Sequence, residues 1–141
     1  PLCEKEGIGQ IVWSPIAQGV LTGKYLPGKK APAGSRATDK KGGANMISKF
    51  MTEPVLTAAQ KLIPIAKKVD LTPAQLAIAW VLQNPNVSSA IIGATKPAQI
   101  KENVKATGVK LDKSIMAEID AALANVVEKD PAKTVSPKPR A

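Results

Sequence analysis

The spacing of apolar side chains along the chain predicts two strands and several helices. Short runs of apolar and β-branched residues over 9–15 and 87–92 are typical of buried strands. Apolar residues three and four positions apart from 55 to 69 predict a helix, which we expect Pro64 to kink or break. Because helical segments follow each strand, the order of elements indicates βα units of a parallel α/β fold.

Local signals mark where the other helices begin and end. Thr72, Pro73 and Gln75 predict an N-cap, a first helical residue and a capping box, in which two residues exchange side chain–backbone hydrogen bonds. After the second strand, a helix is expected from 98 to about 107. Asp112 is the predicted cap of a last helix. Each strand is therefore followed by two helical segments.

The stretch from about 17 to 52 shows no regular period and is rich in glycine. We expect it to be irregular, with a flexible loop over about 26–52. The chain has 20 Lys and Arg residues against 11 Asp and Glu, a net charge of +9, and part of this excess lies here. The charged residues between positions 24 and 49 are Lys24, Lys29, Lys30, Arg36, Lys40, Lys41 and Lys49, with Asp39 alone on the acidic side. A basic loop indicates an anionic partner, of which phosphate is the commonest and nucleic acid the alternative.

The composition excludes several classes of site. The absence of histidine rules out histidine metal ligands, a Ser-His-Asp triad and an imidazole base. The one cysteine, Cys3, rules out an internal disulfide and a cysteine-cluster zinc site, and it fits a reducing compartment. Aromatic residues make up only 3% of the chain, too few for a base-stacking platform. With no apolar run near the roughly 20 residues that span a bilayer, we expect a cytoplasmic protein without a metal site, nucleic-acid partner or membrane insertion.

Two strands are too few for a self-sufficient parallel sheet. Both outer edges would carry unpaired backbone groups. We therefore expect residues 1–127 to be part of a larger domain, or one half of an obligate assembly. A mobile C-terminal tail is expected over 128–141.

The junction after the second strand has the residue types of a phosphate site. Gly93 lets a ligand approach the backbone, while Thr95 offers a hydroxyl and Lys96 a charge at a helix start. On the helix that follows, Ile100 and Val104 are expected to pack inward. The polar face beside them consists of Gln99, Glu102 and Asn103. The competing interpretation is a threonine N-cap before a solvated helix face, which local chemistry by itself favours.

A second group of candidate residues, 13–25, leaves the carboxyl end of the first strand. Sites in α/β folds lie at this edge of the sheet. Gly19 and Gly23 allow close backbone approach, and the hydroxyls of Ser14 and Thr22 can donate to phosphate oxygens. The alternative is an ordinary loop with turn glycines.

Together these segments resemble the C-terminal part of the aldo/keto reductase superfamily. The likeness extends from residue 1 to about 126. It is carried by 7–25, 92–96, Gln99, Glu102 and Asn103. The run Ser35-Arg36-Ala37 resembles the branch that contains the potassium-channel β-subunits and their bacterial relatives.

The resemblance implies a (β/α)8 barrel, of which this chain would be the last two βα units and a C-terminal helix, and a bound NADP(H). It implies that Trp13 packs near the nicotinamide and that Ser35 and Arg36 close over the cofactor. The residues implied to line the pyrophosphate are Ser14, Pro15, Ile16, Ala17, Gln18, Gly19, Leu21 and Lys24, helped by Tyr25. Those implied to hold the 2′-phosphate are Gly93, Thr95 and Lys96, with Gln99, Glu102 and Asn103 on the adenine side.

The implied activity of the complete enzyme is hydride transfer between NADP(H) and the carbonyl of a small aldehyde or ketone. The family's catalytic Asp, Tyr, Lys and His all belong to the N-terminal half of the barrel. Since the one tyrosine here, Tyr25, falls in the cofactor segment, we expect no catalytic residue in this chain. The expectation is an inactive fragment whose partners are the other half of the barrel and, in an oligomer, further copies. The alternatives are an NADP(H)-binding regulatory module like the channel β-subunits and a truncated product without function.

Overall fold

The computed structural model describes residues 2–128 and residue 130. The helices of this part are α1 (Leu2–Lys5), α2 (Gly43–Ser48), α3 (Glu53–Lys68), α4 (Pro73–Leu82), α5 (Pro97–Asn103) and α6 (Lys113–Leu123). The strands are β1 (Gln10–Trp13) and β2 (Val87–Ile91), and short 3₁₀ helices cover Ala17–Thr22, Arg36–Thr38 and Val104–Ala106. Within the described residues, no helix has both the length and the apolar character needed to cross a bilayer. Apart from residues 128 and 130, the tail predicted over 128–141 lies outside this part.

The two strands pair in parallel, as the element order predicts. Val12 lies opposite Ala90 and Trp13 opposite Ile91. Because successive side chains of a strand point to opposite faces, Trp13, Ile91 and Ile11 share one face. Their side chains are 70%, 56% and 67% exposed. The prediction of buried strands is therefore wrong for this part of the chain, because none of the described elements covers the face that carries Ile11, Trp13 and Ile91.

Helices α3, α4 and α6 enclose the main core. Leu62 of α3, Leu76 of α4, and Ile115 and Ile119 of α6 are each at most 5% exposed and belong to one apolar cluster. Asp112 caps α6 as predicted, since its carboxylate accepts the backbone N–H of Ile115 at 2.9 Å. The predicted helix periods thus identify the side chains that form this core.

The helix start predicted at Thr72 is confirmed. Thr72 Oγ1 accepts the backbone N–H of Gln75 at 3.2 Å, and Gln75 Oε1 accepts the N–H of Thr72 at 2.9 Å. The break predicted at Pro64 does not occur, because α3 continues through it. Pro64 is exposed, whereas its neighbours Ile65 and Ala66 are buried in the main core and stabilise the helix across the missing donor.

The stretch from 17 to 52 is more regular than predicted. It contains α2 and two 3₁₀ helices, and Ile47 of α2 is only 1% exposed. Its apolar side chains join residues of α3 in a second apolar cluster, which comprises Val20, Tyr25, Ile47, Leu56 and Ala59. The expectation of irregular structure is confirmed for 23–35 and 39–42 and is wrong for the three helical pieces, because widely spaced apolar residues there pack against a distant helix. Flexibility over 26–52 stays a prediction.

Helix α5 is shorter than predicted and presents a different face to the core. It ends at Asn103, and a 3₁₀ helix continues to Ala106. Ile100 and Val104 are 56% and 59% exposed, so the prediction that they pack inward is wrong. Asn103 and Ala106 are buried instead, at 8% and 1% exposure. None of the described elements covers the Ile100 side of α5.

Candidate functional site

Both predicted site segments begin at the same edge of the sheet. Trp13 and Ile91 are paired at the ends of β1 and β2, so the chain leaves the two strands side by side. This is the edge at which parallel α/β folds bind ligands. Residues 14–25 are called the first segment below, and residues 92–103 the second segment.

The first segment begins with backbone conformations that L-residues rarely adopt. Ser14, Ala17 and Gln18 have φ angles of 55°, 47° and 58°, in the left-handed region. They are three of the four non-glycine residues with positive φ in the described chain. Each costs about 1–2 kcal/mol, and such strain concentrates where a chain binds a ligand.

The side chain of Gln18 links the first segment to the loop over 26–52. Its Nε2 donates to Ser14 Oγ, and its Oε1 accepts from Arg36 Nη1 at 2.7 Å. This hydrogen bond joins two predicted cofactor residues that are 18 positions apart. The guanidinium of Arg36 is therefore drawn to the start of the first segment.

A cavity of about 370 Å³ opens between the first segment and the end of α2. The predicted residues that line it are Trp13, Ser14, Ala17 and Gln18. The other lining residues are Met46, Lys49 and Phe50, none of which was assigned to a site from the sequence. The position of Lys49 in the basic run was the one available signal, because α2 was not predicted. Its Nζ lies 4.9 Å from the centroid of the Phe50 ring, which brings a cation to an otherwise apolar wall.

The end of the first segment is anchored to α3. Gln60 donates from Nε2 to the carbonyl oxygens of Gly23 and Tyr25, both at 3.0 Å. Tyr25 is 1% exposed in the second apolar cluster, and Lys24 Nζ lies 5.1 Å from the centroid of its ring. Tyr25 therefore supports the segment from the core. Within the described residues its hydroxyl has no partner, so only that group is available for the predicted help to a pyrophosphate.

Ser35 is a second buried hydroxyl without a partner in the described part of the chain. Buried polar groups are nearly always hydrogen-bonded, so an unpaired one indicates room for a further acceptor or donor. Ser35 precedes Arg36, which contacts Gln18. The residues present thus fit an anionic group held between the first segment and this loop.

The remaining predicted residues of the first segment lie against the core. Pro15 and Gly19 are buried, while Ile16 and Leu21 are partly buried and pack against the main cluster. A Cβ added to Gly19 would lie 3.3 Å from Lys24 Nζ, so the ammonium group rests close to this backbone. The first segment therefore holds the Lys24 ammonium group close to the Gly19 backbone, and contacts with the main cluster support this part of the chain.

The second segment is exposed where a phosphate was predicted. Gly93, Thr95 and Lys96 are all exposed. Gln99 Oε1 accepts the backbone N–H groups of Thr95 at 2.7 Å and Lys96 at 3.1 Å, and the Thr95 hydroxyl at 3.2 Å. The backbone N–H groups of Thr95 and Lys96 and the Thr95 hydroxyl thus converge on one acceptor oxygen.

The residues predicted on the adenine side do not form one surface. Glu102 is exposed and its Oε1 accepts from Lys105 Nζ at 2.8 Å. Gln99 is exposed as well, whereas Asn103 is buried at 8% exposure. Asn103 is therefore placed to support the end of α5 from inside.

Comparison with known proteins identifies the family. The aldo/keto reductase family profile matches residues 1–124. The chain belongs to the aldo/keto reductase family. The resemblance seen in the sequence is thereby confirmed.

Relatives of this aldo/keto reductase chain include proteins named as channel subunits. It is 48% identical over 109 residues to a probable voltage-gated potassium channel subunit beta of Arabidopsis thaliana, covering 77% of this chain and 33% of that protein. A rice protein of the same name is 43% identical over 138 residues, covering 96% and 40%. Protein tas of Escherichia coli is 36% identical over 116 residues, covering 82% and 32%. The chain thus spans about a third to two fifths of the curated relatives it matches.

A solved structure has the same fold over this region. The glycerol dehydrogenase of Gluconobacter oxydans superposes with a TM-score of 0.68 at 23% identity, covering 96% of this chain and 40% of that one. The predicted α/β class is confirmed by this likeness together with the parallel pairing of β1 and β2.

Proposed function

We propose that this chain is the C-terminal, NADP(H)-binding part of an aldo/keto reductase (β/α)8 barrel that reduces aldehydes and ketones to alcohols. The observation that carries the proposal is the strained first segment, bridged through Gln18 to Arg36 beside the end of β2. Hydroxyl, amide and cationic donors at one edge suit the pyrophosphate of a dinucleotide. The cofactor supplies the hydride when bound, and this chain binds and orients it.

Each segment holds one part of the dinucleotide. Trp13, 70% exposed beside the cavity, packs near the nicotinamide. Lys24, close to the Gly19 backbone, and Arg36, hydrogen-bonded to Gln18, neutralise the pyrophosphate. The exposed Lys96 side chain supplies the charge that binds the 2′-phosphate, whose oxygens also replace the Gln99 amide oxygen as acceptor of the Thr95 and Lys96 backbone N–H groups.

The uncovered face of the sheet supports the larger barrel. Ile11, Trp13 and Ile91 are exposed together, and the described sheet has only two strands, each with a free edge. Free edges and exposed apolar faces are normally covered by further chain. The relatives extend well beyond the matched part, and the corresponding remainder of the barrel covers this face.

The proton donor for carbonyl reduction belongs to that remainder. This chain has no histidine, and its one tyrosine, Tyr25, is buried in the second apolar cluster. A general acid has to come within hydrogen-bond reach of the substrate oxygen, and a core tyrosine does not. The 141 residues alone should therefore turn over no aldehyde with NADPH.

Titration with NADPH, followed by its fluorescence, tests the binding role. The Lys96→Ala variant should bind NADPH about tenfold more weakly and NADH about as well as the unsubstituted chain, because only NADPH carries the 2′-phosphate. Lys101→Ala is the matched control, since Lys101 is an exposed lysine within α5. Equal losses for both cofactors would remove Lys96 from the 2′-phosphate site, and absence of NADPH binding would overturn the proposal.

A regulatory NADP(H)-binding role is the second candidate, favoured by the relatives named as potassium channel subunits. The two roles differ in turnover once the barrel is complete. The test completes the barrel with the N-terminal remainder proposed for this same protein, because the proton donor belongs to that remainder, and measures NADPH-dependent reduction of a small aldehyde. Turnover supports the reductase. Binding without turnover supports the regulatory module.

A further inference from the structure

The Gln75 side chain, at the start of α4, is one of two buried polar residues in the described chain, with 4% exposure. Its Oε1 accepts the N–H of Thr72 and completes the capping box. Its Nε2 donates to the backbone carbonyl of Glu102 at 2.8 Å and makes a longer contact of 3.4 Å with Glu102 Oε2. A donor on one side and an acceptor on the other determine the orientation of the amide.

This contact spans 27 positions and joins the core to the second segment. The segment has few other supports, because Gly93, Thr95 and Lys96 are exposed and α5 has only seven residues. Glu102 Oε1 accepts from Lys105, while Oε2 lies toward Gln75. Both the backbone and the carboxylate of Glu102 are thus held from the same buried amide.

Gln83, at the other end of α4, makes similar hydrogen bonds to a different part of the chain. Its Nε2 donates to the carbonyl oxygens of Ala79 at 2.7 Å and Val109 at 3.0 Å, and its Oε1 accepts the N–H of Leu111 at 3.1 Å. It connects α4 to the chain before α6, and none of its hydrogen-bond partners is a residue assigned to the cofactor. Gln75 and Gln83 therefore make chemically similar hydrogen bonds to different parts of the chain.

The geometry points to Gln75 as a positioning residue for the adenosine half of the cofactor, acting through Glu102 without touching the nucleotide. The inference rests on the proposed NADP(H) site. A fixed Glu102 reduces the ordering that the second segment undergoes when the nucleotide binds. Loss of the Gln75 donor should then weaken adenosine-half ligands while leaving the rest of the site intact.

The test compares Gln75→Glu with Gln83→Glu, using 2′,5′-ADP as the probe in titration calorimetry. Each substitution keeps the oxygen that accepts a backbone N–H and replaces the donor with an oxygen facing a carbonyl. Gln75→Glu should bind 2′,5′-ADP about tenfold more weakly, because the second segment must then be ordered when the nucleotide binds, and Gln83→Glu should bind it within about twofold of the unsubstituted chain. Urea denaturation of both variants compares their general loss of stability.

If either carboxylate variant fails to fold, Gln75→Met and Gln83→Met remove the same donors without adding charge, and the same difference is expected. A loss shared equally by the two positions, or unchanged binding in the Gln75 variants, would overturn the positioning role while the unsubstituted chain still binds 2′,5′-ADP. If the unsubstituted chain binds neither this probe nor NADPH, the proposed function fails first, and the inference fails with it.

Discussion

The two segments that leave the sheet are supported in opposite ways. The first segment is built into the molecule: Tyr25 lies in an apolar cluster, Gln60 binds two of its carbonyls, and its strained residues are bridged to Arg36. The second segment is exposed from Gly93 to Glu102, and only Ile92 and Asn103 at its two ends are partly or fully buried. Among the described residues, its long-range side-chain hydrogen bonds come from Gln75.

The difference concerns where rigidity comes from. In the first segment the core enforces an unfavourable backbone, so this backbone shape forms without a ligand. In the second segment the donors of Thr95 and Lys96 are turned to Gln99, a neighbour that a ligand can displace. Substitutions in the first segment should therefore alter stability and binding together, whereas those in the second should alter binding alone.

Removal of the Tyr25 ring should produce the largest effect. Tyr25→Ala should lower the free energy of unfolding by about 3–5 kcal/mol, because the ring is 1% exposed in the second apolar cluster. Lys96→Ala, at an exposed position, should change it by less than about 0.5 kcal/mol. Urea denaturation measures both. Tyr25→Phe keeps the ring and should be neutral, since the hydroxyl has no partner among the described residues; a large loss there would reveal a partner.

Two glycine substitutions test the same contrast at the backbone. Gly23 has a φ of 78°, and an added Cβ would lie 3.0 Å from Ile63 Cδ1, so Gly23→Ala should cost about 1–2 kcal/mol. Gly93 has no atom within 4 Å of such a Cβ, and Gly93→Ala should be within about 0.5 kcal/mol of neutral. Thermal unfolding followed by circular dichroism measures the difference. Equal losses would contradict the view that only the first segment is held by the core.

Arg36 tests whether the bridge to Gln18 serves binding. Arg36→Ala should weaken NADPH binding about tenfold, because a guanidinium at the pyrophosphate is lost, and should barely change stability since the side chain is exposed. Lys40→Ala removes the same charge from an exposed position in the same loop. If both variants weaken NADPH equally, the contribution of Arg36 is general charge and not its contact with Gln18.

Acidic pH should lower the stability of the fold slightly, through the Asp112 cap of α6. Hydrogen bonds from the Ile115 backbone and the Ser114 hydroxyl lower the pKa of Asp112 below its usual 3.8. The folded state therefore binds this proton less readily than the unfolded state. The contribution is complete above the unfolded pKa and is lost as pH falls below 3.8 through the folded pKa.

Melting temperatures measured from pH 7 to pH 2 check this dependence. Asp112→Asn should melt with a shallower acid decline than the unsubstituted chain, because its cap has no proton to gain. Asp70→Asn, at an exposed position in the turn after α3, is the control and should keep the original decline. An unchanged acid decline in Asp112→Asn would exclude this cap as its source.

The sequence could predict where the candidate residues lie relative to the strands, but not which residues support them. The residues predicted at the start of the first segment do lie at the end of β1, and Arg36 does come to Gln18. Met46 and Phe50 were missed because nothing in their local sequence indicates a short helix across the cavity. Gln75 was recognised only as part of a capping box, since its second partner is 27 residues away.

The sequence by itself determined what depends on near neighbours: the capping box at Thr72, the Asp112 cap, and the order of strands and helices. These follow from hydrogen bonds and periods that span a few residues, so local spacing is enough to predict them. The tertiary structure decided which side of an element is covered. In the folded chain Ile100 and Val104 are exposed, α3 continues through Pro64, and Tyr25 lies in the core. Burial is a property of the elements that pack together, and their packing depends on contacts between residues far apart in the chain.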